Sequence, residues 1–252
     1  MSQSETYKRE ISRFYDADGG VGQMPEADWN NNAHLGHTRR TGGNQILQTS
    51  LDLIFRYKMK CLDEQSLYRA QKFFKGCQNV NPKGVFDKNP PLPNGERRLD
   101  VVAHDDYIAL AAVSSIVGVL PHHFDIVEHG KKSGWVFNNS GDVAFTENHK
   151  KLFFGTWFIT FYKLVGDSKD VGWFEGFKFR KYMGEAESDD DSGMQLRWLM
   201  CQAIRRYPIV SPTIRGVAEG FMRSLNLLGG IKKVFERYYG IWHPFAKHGD
   251  FV

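Results

Sequence analysis

IRGVAEGFMRSLNLLGG, residues 214–230, decides the fold class. Ile214, Val217, Ala218, Phe221, Met222, Leu225 and Leu228 recur at helical spacing over four turns, which strict strand alternation cannot produce. Gly229-Gly230 stops that helix, and Ile231, Val234, Phe235, Tyr238 and Tyr239 open another that Gly240 ends. Beyond it, the aromatic tail Trp242-His243-Pro244-Phe245 is expected to dock back on the body.

Towards the N-terminus the same periodicity returns. A helix is expected from Ser192 or Gly193 to Arg206, with the acidic run Asp189–Asp191 at its positive end. Residues 172–183 read as a helix weakened by glycines. Residues 152–165, rich in Phe and Trp, have a strand-like composition but a helical length. Residues 134–142 read as a turn, and 122–132 as a short helix after Pro121. The stretch from about Asp105 to Val119, apolar almost all round, reads as a central buried helix. Residues 81–95 hold enough Pro and Gly to permit only loop. Leu47, Leu51, Ile54 and Phe55 predict a helix over 44–58, and Asp63 caps a second one ending near Gly76, so the two form a hairpin. Residues 1–43, with Asp16-Ala17-Asp18-Gly19-Gly20 and Asn30-Asn31-Asn32, read as an irregular arm or lid outside the core. The expectation is a mainly α fold: a helical-hairpin bundle or α/α toroid-like domain of about nine helices over 44–252, preceded by that arm.

Composition narrows the function classes. The chain has 252 residues, 41% hydrophobic and 14% aromatic, which excludes global disorder and removes any need for a disulfide or metal staple. Residues 1–15 show no export signal, and the longest apolar run, 108–120, is short of the roughly 20 residues a membrane span needs. Cys61, Cys77 and Cys201 lack CxxC spacing and read as reduced thiols. A net charge of +4, spread over basic pairs such as Arg39-Arg40, leaves nucleic-acid binding open but weakly supported.

Several segments resemble a family of uncharacterised proteins of tailed bacteriophages. They are the opening helix 43–58, Gly84-Val85-Phe86-Asp87, His104-Asp105-Asp106-Tyr107, Gly134-Trp135-Val136-Phe137-Asn138 and the closing segment 239–247. The resemblance spans most of the chain beyond residue 43 and implies a viral origin, with no chemistry attached to it.

The candidate site residues follow two readings. His104, Asp105 and Asp106 open a buried helix beside a loop, where carboxylates can do acid–base work but also complement a helix N-terminus. Aromatic residues including Trp135, Trp157 and Trp198 would suit a glycan groove, with Asp105 or Asp106 as the acid of a hydrolase or lyase and Tyr107 as a helper. That link is fold analogy. His34 and His37 lack the carboxylate spacing of a zinc site, and GxSxG and GK[ST] motifs are missing, so no metal or cofactor is expected. The leading expectation is a virion-associated structural or assembly protein, made in the host cytoplasm. It would contact other phage proteins or copies of itself through Trp29, Arg39, Arg40, Trp242, His243 and Phe245. A soluble phage protein acting on a host factor is a further alternative.

Overall fold

The computed structural model describes residues 2–16, 18–22, 45–78, 83–87, 90, 104–118, 121–133, 136–137, 152–153, 191–205, 212–227 and 229–251. Among them the protein is mainly α, with nine α-helices and one two-residue strand pair. Contacts divide the chain into two compact units, residues 1–110 with 120–153 and residues 111–119 with 154–252.

The first unit begins with α1 (Gln3–Ile11), which falls within the stretch expected to be an irregular arm. Its start is a capping box: Ser2 Oγ accepts from the Glu5 amide at 3.3 Å, and Glu5 Oε2 accepts from the Ser2 amide at 2.6 Å. Tyr7 and Ile11, one turn apart, and Phe14 in the 3-10 turn Ser12–Phe14 are buried, so the segment up to Val21 belongs to the core. Three apolar residues at i, i+4 and i+7 suffice here because the surface that they cover is itself buried.

Helices α2 (Gln45–Lys58) and α3 (Glu64–Cys77) form the expected hairpin. Leu47, Leu51, Ile54 and Phe55 are fully buried, and Asp63 caps α3 by accepting from the Ser66 amide at 2.8 Å. The loop segment Gly84–Asp87 is buried as well. Tyr107 Oη accepts from the Phe86 amide at 3.0 Å, and a Cβ on Gly84 would lie 2.3 Å from the Asp125 carbonyl oxygen. Tyr107 lies on α4 (His104–Val117), buried from Asp106 to Ser114, and Pro121 occupies the first position of α5 (Pro121–Ser133).

The helix expected over 152–165 is corrected at its start. Leu152–Phe153 is a strand, β2, antiparallel to β1 (Val136–Phe137), with Val136 opposite Phe153. Aromatic and β-branched composition was the better guide there, because pairing with a partner strand well upstream is invisible to a length argument. The rest of that segment, and the helix expected over 172–183, lie outside the described residues.

In the second unit, α6 (Asp191–Arg205), α7 (Pro212–Leu227) and α8 (Gly230–Tyr239) pack on one another. The tail docks as expected. α9 (Pro244–His248) lies on α8, with the Phe245 and Phe235 rings 5.7 Å apart and the Trp198 ring edge-on to Phe235 at 6.1 Å. No helix among the described residues is long and apolar enough to cross a membrane.

Candidate functional site

Helix α2 is buried on every side from Gln45 to Arg56, although six of those residues are polar or charged. Gln45, Gln48, Thr49, Asp52 and Arg56 share one stripe, at i, i+3, i+4, i+7 and i+11. A polar stripe in a core must be hydrogen-bonded or it destabilises the fold. Here the N-terminal segment supplies most of the partners.

Asp52 is the hub. Its Oδ1 accepts from Tyr7 Oη at 2.8 Å and its Oδ2 from Tyr15 Oη at 2.7 Å, while Arg56 Nε reaches both oxygens at 2.9 and 3.0 Å. Arg56 Nη2 also donates to Tyr15 Oη at 2.8 Å, closing the ring of bonds. Burial disfavours the Arg56 charge, yet Asp52, Tyr15 and Tyr7 together hold the guanidinium above its ordinary range. Burial, and then Asp52, push both tyrosine hydroxyls up, so both stay protonated as donors. This quartet uses its polar atoms on itself. It is a clamp joining α1 and the following turn to α2.

Beside the clamp, the sequence Asp16–Gly20 forms a tight turn. Asp16 Oδ1 accepts from the amides of Asp18 at 3.0 Å and Gly20 at 3.1 Å, and Gln45 Nε2 donates to Asp16 Oδ2. Burial raises the Asp16 carboxyl above its usual range, against the lowering effect of the Gln45 bond. The glycines permit close approach. Gly19 has φ +87° and a Cβ there would meet Arg69 Cγ at 2.8 Å; one on Gly20 would meet the Phe73 ring at 2.4 Å. The turn is therefore seated on α3.

Where turn and helix meet, a cleft of about 400 Å³ opens, lined by Ser12, Tyr15, Asp16, Asp18, Gly19, Arg69 and Lys72. The Arg69 guanidinium carbon sits 4.1 Å from the centroid of the Tyr15 ring, a cation–π contact.

The residues singled out from sequence fare differently. Asp106 is fully buried. His104 and Asp105 begin α4, and their side chains lie outside the described set. Trp29, His34, His37, Arg39 and Arg40 are outside it too.

His243 and Phe245, expected as outward contacts, are both fully buried. His243 Nδ1 caps α9 by accepting from the Phe245 amide at 3.2 Å, its ring stacks on Tyr239 at 4.5 Å, and Phe245 fills the space against Phe235. Trp242 is 46% exposed and Ile241 74%. Among the described residues no cluster of three His, Cys, Asp or Glu is placed to hold a metal.

Sequence reasoning missed Tyr7, Tyr15, Asp52, Arg56 and Arg69. One signal was available: Asp52 and Arg56 form an i,i+4 ion pair inside a helix whose flanks are apolar.

No protein-family model, curated protein or solved structure matches this chain.

Proposed function

We propose that this chain is a virion-associated structural or assembly protein of a tailed bacteriophage, acting through contacts with other phage proteins or with copies of itself. The observation that carries the reading is the turn Ile241-Trp242. Ile241 is largely exposed and Trp242 half-exposed, while the residues that follow, His243, Pro244 and Phe245, are buried and Gly240 before them turns the chain at φ +82°. A rigidly footed aromatic of this kind costs little conformational entropy to bury on a partner and matches the composition of interface hot spots. The resemblance of the segments 43–58, 84–87, 104–107, 134–138 and 239–247 to phage proteins supports the viral setting. The burial of Asp106 weighs against the glycan-enzyme alternative built on that residue.

Quantitative peptide mass spectrometry on purified particles of the source phage tests this. A fixed copy number, lowered when Trp242→Ala is introduced, is the expected result. Absence of the chain from particles rejects the virion role and leaves action on a host factor.

A further inference from the structure

We propose that the cleft between the Asp16–Gly20 turn and α3 binds a small phosphate monoester carrying a hydroxyl group, with Arg69 and Lys72 gripping the phosphate. This goes beyond the virion role and does not depend on it.

Three polar side chains of the cleft are already used. Ser12 Oγ donates to the Arg9 carbonyl at 2.8 Å, and Tyr15 Oη donates to Asp52 at 2.7 Å. Asp16 turns its oxygens inwards to Asp18, Gly20 and Gln45. Arg69 and Lys72, by contrast, form no ion pair or side-chain hydrogen bond among the described residues, although two carboxylates line the same cleft. One of these acids, Asp16, is committed to its own turn. The other, Asp18, is exposed at the rim.

Arg69 is also positioned. Gly19 presses on its aliphatic stem and the Tyr15 ring lies under its guanidinium, while Tyr15 is itself held by Asp52 and Arg56. A guanidinium held over an aromatic ring with its N–H donors unused can make two parallel bonds to an oxyanion. Lys72 lies three residues on along α3, on the same side of the helix, and adds a compact charge.

That donor set selects the anion. A carboxylate has two oxygens, which the arginine fork alone satisfies; a phosphate monoester has a third oxygen for the ammonium and a second charge for the second cation. A volume of about 400 Å³ also leaves room for a carbon skeleton beyond the anion. Asp18 at the rim is placed to accept from a ligand hydroxyl, so a hydroxylated monoester is preferred to inorganic phosphate.

Calorimetric titration of the full chain with glycerol 3-phosphate, inorganic phosphate and glycerol tests the assignment. Saturable binding in the order glycerol 3-phosphate, then phosphate, with none for glycerol, is expected. Arg69→Gln weakens glycerol 3-phosphate binding by about tenfold or more, the scale of one lost charge-assisted pair. Lys72→Gln, at an exposed position where folding is not at stake, weakens it by a factor of roughly three to ten. Asp18→Asn narrows the gap between the two phosphates. Arg13→Gln, outside the cleft, changes nothing. No saturable binding by the wild type, or binding undiminished in Lys72→Gln, overturns the proposal. Tighter binding of a single-stranded oligonucleotide than of glycerol 3-phosphate overturns it in favour of a nucleic-acid surface.

Discussion

Tyr7 and Asp52, 45 residues apart in the chain, meet through a 2.8 Å hydrogen bond inside the core. That bond ties the first helix to α2. Around it, Tyr15 and Arg56 complete a set in which each member bonds to another, so removing one strands its neighbours. Asp52→Ala leaves Arg56 buried without its carboxylate and is expected to cost about 3–5 kcal/mol, whereas Tyr7→Phe, which removes one bond from an oxygen that keeps Arg56, costs about 1–2 kcal/mol. Urea unfolding of both variants and of the double mutant checks this. Additive losses would show that the two residues are not coupled.

Asp16 gives the clamp region its own pH dependence. Burial outweighs the opposing Gln45 bond and places its folded pKa above the ordinary 3.8, so the folded state holds the proton more tightly than the unfolded chain. Its contribution is present below the unfolded value and is lost as pH rises through the folded one. Wild-type stability relative to Asp16→Asn should therefore fall as pH is raised from below the ordinary carboxylate value through that window. Unfolding midpoints of the pair across mildly acidic pH measure it, and a wild-type advantage that grows with pH contradicts the sign.

Two glycines should respond oppositely to alanine. Gly20→Ala drives a methyl into the Phe73 ring, which helix α3 holds in place, and is expected to destabilise by about 1–3 kcal/mol. At Gly216, inside α7, an added methyl would meet nothing within 4 Å, so Gly216→Ala should stabilise by about 0.5–1 kcal/mol through helix propensity alone. Thermal midpoints moving the same way in both would refute the packing account.

At the C-terminus, buried and exposed neighbours separate stability from contact. Phe245→Ala empties a site shared with Phe235 and Tyr239 and should cost about 3–5 kcal/mol. Trp242→Ala, at a half-exposed position, should cost less than about 1 kcal/mol. Denaturant titration compares them; equal losses would place Trp242 in the core rather than at an interface.

The three thiols should differ in reactivity. Burial pushes Cys201 up to about 12 and holds Cys77 well above the ordinary range; burial also raises Cys61, which is partly exposed. A thiol-reactive chromophore at mildly alkaline pH should label Cys61 in the native protein, and Cys77 and Cys201 only after unfolding. Fast native labelling of Cys201 would contradict its burial.

Helix periodicity is local, and it was legible wherever a helix presents one apolar stripe. The ends of α7 and α8, the Asp63 cap and the docking of the tail could all be read from residues within a few turns of each other. In α1 and the 3-10 turn after it the stripe is only Tyr7, Ile11 and Phe14, interrupted by charge, and it has the look of a solvated arm. The capping box Ser2–Glu5 was the local sign of a helix there.

The polar stripe of α2 marks the other limit. Nothing near Asp52 in sequence says that Tyr7 and Tyr15 will surround it, nor that Gly19 will press on Arg69, because contacts between residues so far apart in the chain depend on how helices pack. Likewise His243 and Phe245 are aromatic in a short tail, and only the packing of α8 turned them inwards while leaving Trp242 outside. The amino-acid order by itself determined a mainly α protein and most helix boundaries, since backbone hydrogen bonding and side-chain period act over a few residues. The tertiary structure alone decided which polar side chains became a buried clamp and which stayed outside it, since burial and partnership are properties of residues brought together by the fold.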